Sequence, residues 1–308
     1  VTDLPDLPDL HAGTTAESGE ELIRRLVSVR INDPEAVARA YADRRVSDTL
    51  VGATGRLMLI AADHTARGML RVGADPLVMA DRGELLRRLV IALGRPGIDG
   101  FMGTPDLVED LLLLGALEGK VVLGSMNRGG LAGTAFEIDD RMTAYDADAV
   151  LEARLDGGKM LLRIDPDDLA TPRTLESCAT AVSALARRRR LAMVEPFIAH
   201  RVDGRVWNDL SVEAVIRSAT VAAGLGATSA YTWLKLPVID EMEQVAAATT
   251  LPIHLLGGET RVDDTEAMAR WKRALALPTV VGMTVGRALL FPPDGDVATA
   301  VDRTVGML

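Results

Sequence analysis

The sequence predicts an α/β fold, a (β/α)8 or TIM barrel, carried behind an N-terminal helical extension. Three observations predict it. From residue 57 onward eight short apolar runs recur, each ending in polar or glycine residues. Amphipathic stretches lie between most of them, and buried runs alternating with helices mark a parallel sheet covered on both faces. No G-x-G-x-x-G fingerprint follows the first run, which argues against an open dinucleotide-binding sheet. Eight units over about 250 residues match a closed barrel.

The head of the chain, VTDLPDLPDLHAG, is acidic and punctuated by proline, and reads as an extended arm. AESGEELIRRLVSVRIN has helical spacing, and DPEAVARAYADRR opens like a helix capped by Asp33 before Pro34. The arm and helices take residues 1–50, and a barrel catalytic domain takes residues 51–308. The apolar runs are LMLIAAD (57–63), IDGFMG (98–103), VVLGSM (121–126), KMLLRID (159–165), LAMVEPFI (191–198), TSAYTWLKLPV (228–238), PIHLLGG (252–258) and TVVGMTVG (279–286). RGELLRRLVIALG, TPDLVEDLLLLGALEG, TPRTLESCATAVSALARRRR, SVEAVIRSATVAAGLG and DTEAMARWKRALAL are the helices between them, and a long glycine-rich loop, NRGGLAGTAFEIDD, follows the third run.

Composition narrows the function. Of 308 residues 48% are hydrophobic but only 3% aromatic, so the core is large and aliphatic. A net charge of −10 argues against nucleic acid and against anionic membrane as partners. No apolar run reaches the roughly 20 residues of a membrane-spanning helix. The first thirty residues show no signal-peptide pattern, and a lone Cys178 fits the cytoplasm. Barrels of this kind often assemble, so a homo-oligomer is expected.

In this fold, chemistry sits at the C-terminal ends of the strands. The first run ends in Asp63, His64 and Arg67, and the third in Ser125, Asn127 and Arg128. The fourth carries Lys159, Arg163 and Asp165, the fifth Glu195, and the sixth Tyr231 and Lys235. Simple structural roles are open to several of these: Asp63 as a cap, His64 as a hydrogen-bonded histidine, Lys159 at a solvent-facing strand entry. Lys235 is harder to dismiss. The chain holds four lysines against thirty arginines, and this one lies between Trp233, Leu234, Leu236 and Val238. Burial disfavours an ammonium and favours the neutral amine, a nucleophile toward ketones and aldehydes. A second ammonium nearby acts the same way. Lys159 can supply it, because alternate strands of the barrel share side-chain layers, provided the registers match. Gly257 and Gly258 after the seventh run, with Gly286 and Arg287 after the eighth, suggest amide groups and a forked cation around a phosphate. Four scattered histidines and one cysteine form no zinc set at familiar spacing, and no cofactor is implied.

These motifs resemble a known group. AADHTARG after the first run, GKMLLRID at the fourth, EPF on the fifth, WLKLPV on the sixth, LLGGE on the seventh and VGRAL on the eighth are similar to class I aldolases of the DeoC/LacD and archaeal-type fructose-bisphosphate aldolase superfamily. Within it the chain looks most like actinobacterial aldolase-like proteins associated with myo-inositol catabolism. The resemblance spans roughly residues 50–292 and implies a metal-independent carbon–carbon lyase. It implies Lys235 as the Schiff-base lysine, Asp63 at the substrate hydroxyl, and Lys159 and Glu195 in proton transfer and positioning. His64, Arg163, Asn127 and Arg128 would bind substrate, and Gly257, Gly258, Gly286 and Arg287 the phosphate. The implied substrate is a phosphorylated keto-sugar or sugar acid, with 6-phospho-5-dehydro-2-deoxygluconate as the specific expectation. Two departures stand out: Tyr231-Thr232-Trp233 where relatives carry an acidic residue, and His64 where tagatose-bisphosphate aldolases often have glutamine. A phosphosugar isomerase or epimerase using Glu195 and His64, or a non-catalytic sugar-phosphate-binding protein, is the alternative reading.

Overall fold

In the structure of the chain, a computed structural model, eight parallel strands close on themselves. Residues 17–52, 54–257 and 265–308 are described. The expected N-terminal arm and Gly258 lie outside them. The barrel strands are β1 (Leu57–Ala61), β2 (Gly100–Gly103), β3 (Val121–Ser125), β4 (Gly157–Ile164), β5 (Leu191–Val202), β7 (Thr232–Pro237), β8 (Ile253–Leu256) and β9 (Val280–Val285). Each expected run becomes one of these strands. Neighbours follow the circuit β4-β3-β2-β1-β9-β8-β7-β5, and the β4–β5 pairing closes it.

One strand has no counterpart in the expected runs. Strand β5 continues beyond the barrel to Val202, turns at Asp203-Gly204, and pairs antiparallel with β6 (Arg205–Asn208). Both turn residues have positive φ, 50° and 78°, as a two-residue type I′ hairpin requires. The D-G dipeptide in HRVDGRVW carried that signal.

The N-terminal helix α1 (Gly19–Asn32) starts at a capping box in which Ser18 and Glu21 satisfy each other's backbone N–H groups. Its buried Leu22, Leu26 and Val29 recur at one-turn intervals and join the outer core. It crosses the barrel helix Arg82–Leu93 at a glycine pair: a Cβ on Gly83 would stand 2.6 Å from the Gly19 carbonyl oxygen. Asp33 does not cap the next helix. Its backbone N–H closes α1 on the Val29 carbonyl, and α2 (Ala36–Asp43) begins behind Glu35 with no side-chain cap. Among the described residues no helix is long and apolar enough to cross a membrane.

Leu57, Leu59, Met102, Val121, Leu123, Leu191 and Met193 form a separate inner cluster, which fills the N-terminal part of the lumen. This dry aliphatic plug is the floor on which the polar side chains of the C-terminal half stand.

Candidate active site

Three strands in a row meet on one carboxylate. Glu195 on β5 takes Lys235 of β7 on Oε1 at 2.8 Å and Lys159 of β4 on Oε2. The register the sequence left open explains how. An eight-stranded barrel of shear 8 staggers about one residue per strand. Lys159 pairs in register with Met193 and Met193 with Trp233, so two strands of stagger bring Lys159 level with Lys235. The intervening strand then projects Glu195 between them. Lys159 also reaches Asp63 Oδ2 at 3.2 Å, and that oxygen accepts from Ser125 Oγ at 2.8 Å and pairs with Arg128 at 3.0 Å. All these residues are buried.

Burial and pairing oppose each other throughout this chain of charges. Burial alone would raise the carboxyl of Asp63, but Arg128 and Lys159 outweigh it and hold it well below the usual carboxylate range. Glu195 is likewise lowered against its burial, by Lys159 and then Lys235. Lys159 goes the other way: burial over the apolar floor pushes it down to about 8 despite Asp63 and Glu195. Burial takes His64 down to about 3, and its Nδ1 finds no hydrogen-bond partner among the described residues. His254 is also brought to about 3 by burial, but its ring is fully engaged. Nε2 meets the Leu57 carbonyl at 2.9 Å and Nδ1 meets Thr284 Oγ1 at 2.8 Å, so it is a structural strut.

A cavity of about 660 Å³ opens above this cluster, at the C-terminal mouth. Asp63, His64, Arg67, Arg128, Lys159, Arg163, Glu195 and Lys235 all line it, as do Gly257, Gly286 and Arg287. Two expectations change in detail. The N–H of Gly257 already donates to the Thr284 carbonyl at 3.1 Å, so this glycine offers closeness of backbone but no free donor. Gly286 opens the single turn Arg287–Leu290, and a Cβ there would lie 2.5 Å from the Ala61 carbonyl oxygen. Among the described residues no group of His, Cys, Asp and Glu is arranged to hold a metal ion.

Comparison with known proteins agrees with this architecture. The family model described as Cgl0159-like matches residues 55–305. The chain belongs to the Cgl0159-like family. The crystal structure of Cgl0159 from Corynebacterium glutamicum is 49% identical, with 93% of this chain and 96% of that one aligned at a TM-score of 0.90. An archaeal fructose-1,6-bisphosphate aldolase, whose catalytic lysine is covalently bound to the carbinolamine intermediate of its substrate, aligns over 88% of this chain and 98% of its own at 13% identity and a TM-score of 0.59. The fructose-bisphosphate aldolase of Slackia heliotrinireducens DSM 20476 aligns over 100% and 96% at 17% identity and a TM-score of 0.56. At such identities the likeness to the two aldolases is one of fold alone. No curated protein matches the sequence.

In this Cgl0159-like chain Asn127, expected to bind substrate, is not among the residues that line the cavity. It is fully buried, its Nδ2 donates to the Leu161 carbonyl at 2.5 Å, and its Oδ1 accepts from the Leu161 N–H at 2.8 Å. The amide prolongs the β3–β4 ladder past Ser125, where the backbones diverge. Asn127→Ala would orphan both Leu161 groups, and a loss of roughly 2–4 kcal/mol in denaturant unfolding is expected. Stability unchanged by that substitution would contradict this role. The residues that sequence reasoning missed are Arg205, Trp207 and Asn208, which wall the cavity from the β5–β6 hairpin, and Glu137, which pairs with Arg163 at 2.8 Å.

Proposed function

We propose that this protein is a class I aldolase, a carbon–carbon lyase that cleaves a phosphorylated keto-sugar or sugar acid through a Schiff base on Lys235. One observation carries the reading: two lysines from different strands share the Glu195 carboxylate over a dry floor, at the base of a cavity lined at its rim by Gly286 and Arg287. Such a lysine pair has little structural purpose, since an apolar layer would pack there without the cost of burying charge. The carbinolamine held by the lysine of the archaeal aldolase supports the same chemistry on the same fold.

The steps follow from the positions. Lys235, as the free amine, attacks the ketone, and loss of water gives an iminium beside Glu195, whose negative charge stabilises it. The hydroxyl on the carbon β to the imine is held by Asp63 and gives its proton to Lys159 as the free amine. The carbon–carbon bond breaks, its electron pair moves into the iminium, and the aldehyde departs. The enamine that remains takes a proton on carbon, and water releases the ketone and restores Lys235. Lys159, with its proton leaving at about 8, is suited to exchange protons with this centre near neutrality. The resemblance to inositol-pathway aldolases makes 6-phospho-5-dehydro-2-deoxygluconate the first substrate to test, with dihydroxyacetone phosphate and malonate semialdehyde as products.

The isomerase alternative needs a strong base. Glu195 is weakened by two ammonium partners, and His64 at about 3 is weaker than a free imidazole, so the electrostatics favour the lysine-centred reading. Incubation with dihydroxyacetone phosphate, borohydride reduction and peptide mass analysis is the test. A stable adduct on the peptide containing Lys235 is the expected result. No adduct with this ketone or with a panel of ketones and aldehydes would end the proposal.

A further inference from the structure

The cavity has a second cationic side, across the barrel from Arg287. In the circuit of eight strands β4 stands four places from β9 and so faces it across the lumen. Arg163 lies on β4, while Arg287 follows β9. The arc between them passes over β8, then β7 with Lys235, then β5 with Glu195. An extended molecule anchored at Gly286 and Arg287, with its middle over Lys235, therefore ends against Arg163 and the β5–β6 hairpin.

That end is built for one negative charge. Arg163 pairs with the buried Glu137 and donates through Nε to Asn208 Oδ1 at 3.3 Å. This contact uses the oxygen of Asn208, and the amide NH2 has no partner among the described residues. Arg205, exposed and lining the same cavity, makes no ion pair among the described residues. Two guanidinium groups against one carboxylate leave one positive charge. A carboxylate neutralises it and matches the planar donors of guanidinium and amide. A phosphate dianion would leave excess negative charge beside buried Glu137. The hairpin that carries Arg205 and Asn208 is held in place by Arg201, which donates to the Ala135 carbonyl at 3.1 Å and pairs with Asp168 at 3.3 Å.

We propose that Arg163, Arg205 and Asn208 form a subsite for a single carboxylate, so that the substrate is a phosphorylated sugar acid with its two anionic groups at opposite ends. The inference rests on the aldolase reading for the position of the ketone over Lys235, but the subsite can be tested without turnover. The probes are three hexitol-type chains that differ only at the remote end: 6-phosphogluconate (carboxylate), sorbitol 6-phosphate (hydroxymethyl) and sorbitol 1,6-bisphosphate (phosphate). Calorimetric Kd values are measured for the wild type, Arg205→Gln and Asn208→Ala, with thermal unfolding as the check that the variants fold. Arg163 is left intact because removing it would strand Glu137.

The expected result is that the wild type binds 6-phosphogluconate about tenfold more tightly than sorbitol 6-phosphate, as a charge-assisted contact warrants. Each variant should shrink that gap to about threefold or less, chiefly by weakening the carboxylate probe. Equal affinity for the acid and the alcohol overturns the subsite. So does tightest binding of the bisphosphate, which would make the remote group a phosphate, and so does equal weakening of all three probes. Borohydride trapping reports separately on the aldolase reading, so the two failures are distinguishable.

Discussion

Lys235→Met is expected to abolish the trapped adduct and to lower kcat by about 10⁴-fold or more, because it removes the covalent nucleophile itself. Folding should survive, since Glu195 keeps Lys159 and a methionine fills the vacated volume over the aliphatic floor. Lys159→Met is the control. It removes a proton-transfer partner and should cost about 10²- to 10⁴-fold while leaving the adduct on Lys235. The pH dependence separates the two further. Burial places the Lys159 proton at about 8, so the rate of trapping in the wild type should rise as pH approaches 8 and then level. Lys159→Met should lose that limb. The two lysines share Glu195, so the observed value belongs to the pair. An adduct on Lys159 that persists in Lys235→Met would exchange the roles of the two lysines.

The barrel was legible because its strands are buried on both faces and stand out as unbroken apolar runs. The same feature hid their register: when every residue is apolar, the period of two that would separate lumen from helix side is silent. The polar intruders break that silence. Lys159, Glu195 and Lys235 were visible as exceptions, and all three face the lumen. What could not be seen is the register that brings the carboxylate of the intervening strand level with both lysines. The elements left unassigned between strands are mostly short. Ala147–Glu152 and Met242–Ala247 span under two turns, too few to display helical periodicity. Asn127 stood out as a polar residue at a strand end, and its amide substitutes for backbone where the ladder opens. At Gly257, which lines the cavity, a glycine at a strand end shows that backbone is close, not that its N–H is unclaimed.

Glu195→Gln is expected to have the largest effect on stability. Glu195 is the only ion-pair partner of Lys235 among the described residues, whereas Lys159 retains Asp63. The substitution keeps the shape but leaves a buried ammonium uncompensated, a loss of roughly 3–5 kcal/mol in unfolding free energy. The double variant Glu195→Gln with Lys235→Met should regain much of this, because it removes the stranded charge along with its partner. The sign of the pH dependence follows from the direction of the shift. The folded carboxyl lies below its unfolded value, so its contribution is complete above about 4.3 and fades as pH falls toward the lower folded value. The gap between wild type and Glu195→Gln should therefore be constant near neutrality and close only in acid. If Glu195→Gln is as stable as the wild type at pH 7, the carboxylate does not compensate two buried ammonium groups, and the charge-pair account of this cluster fails.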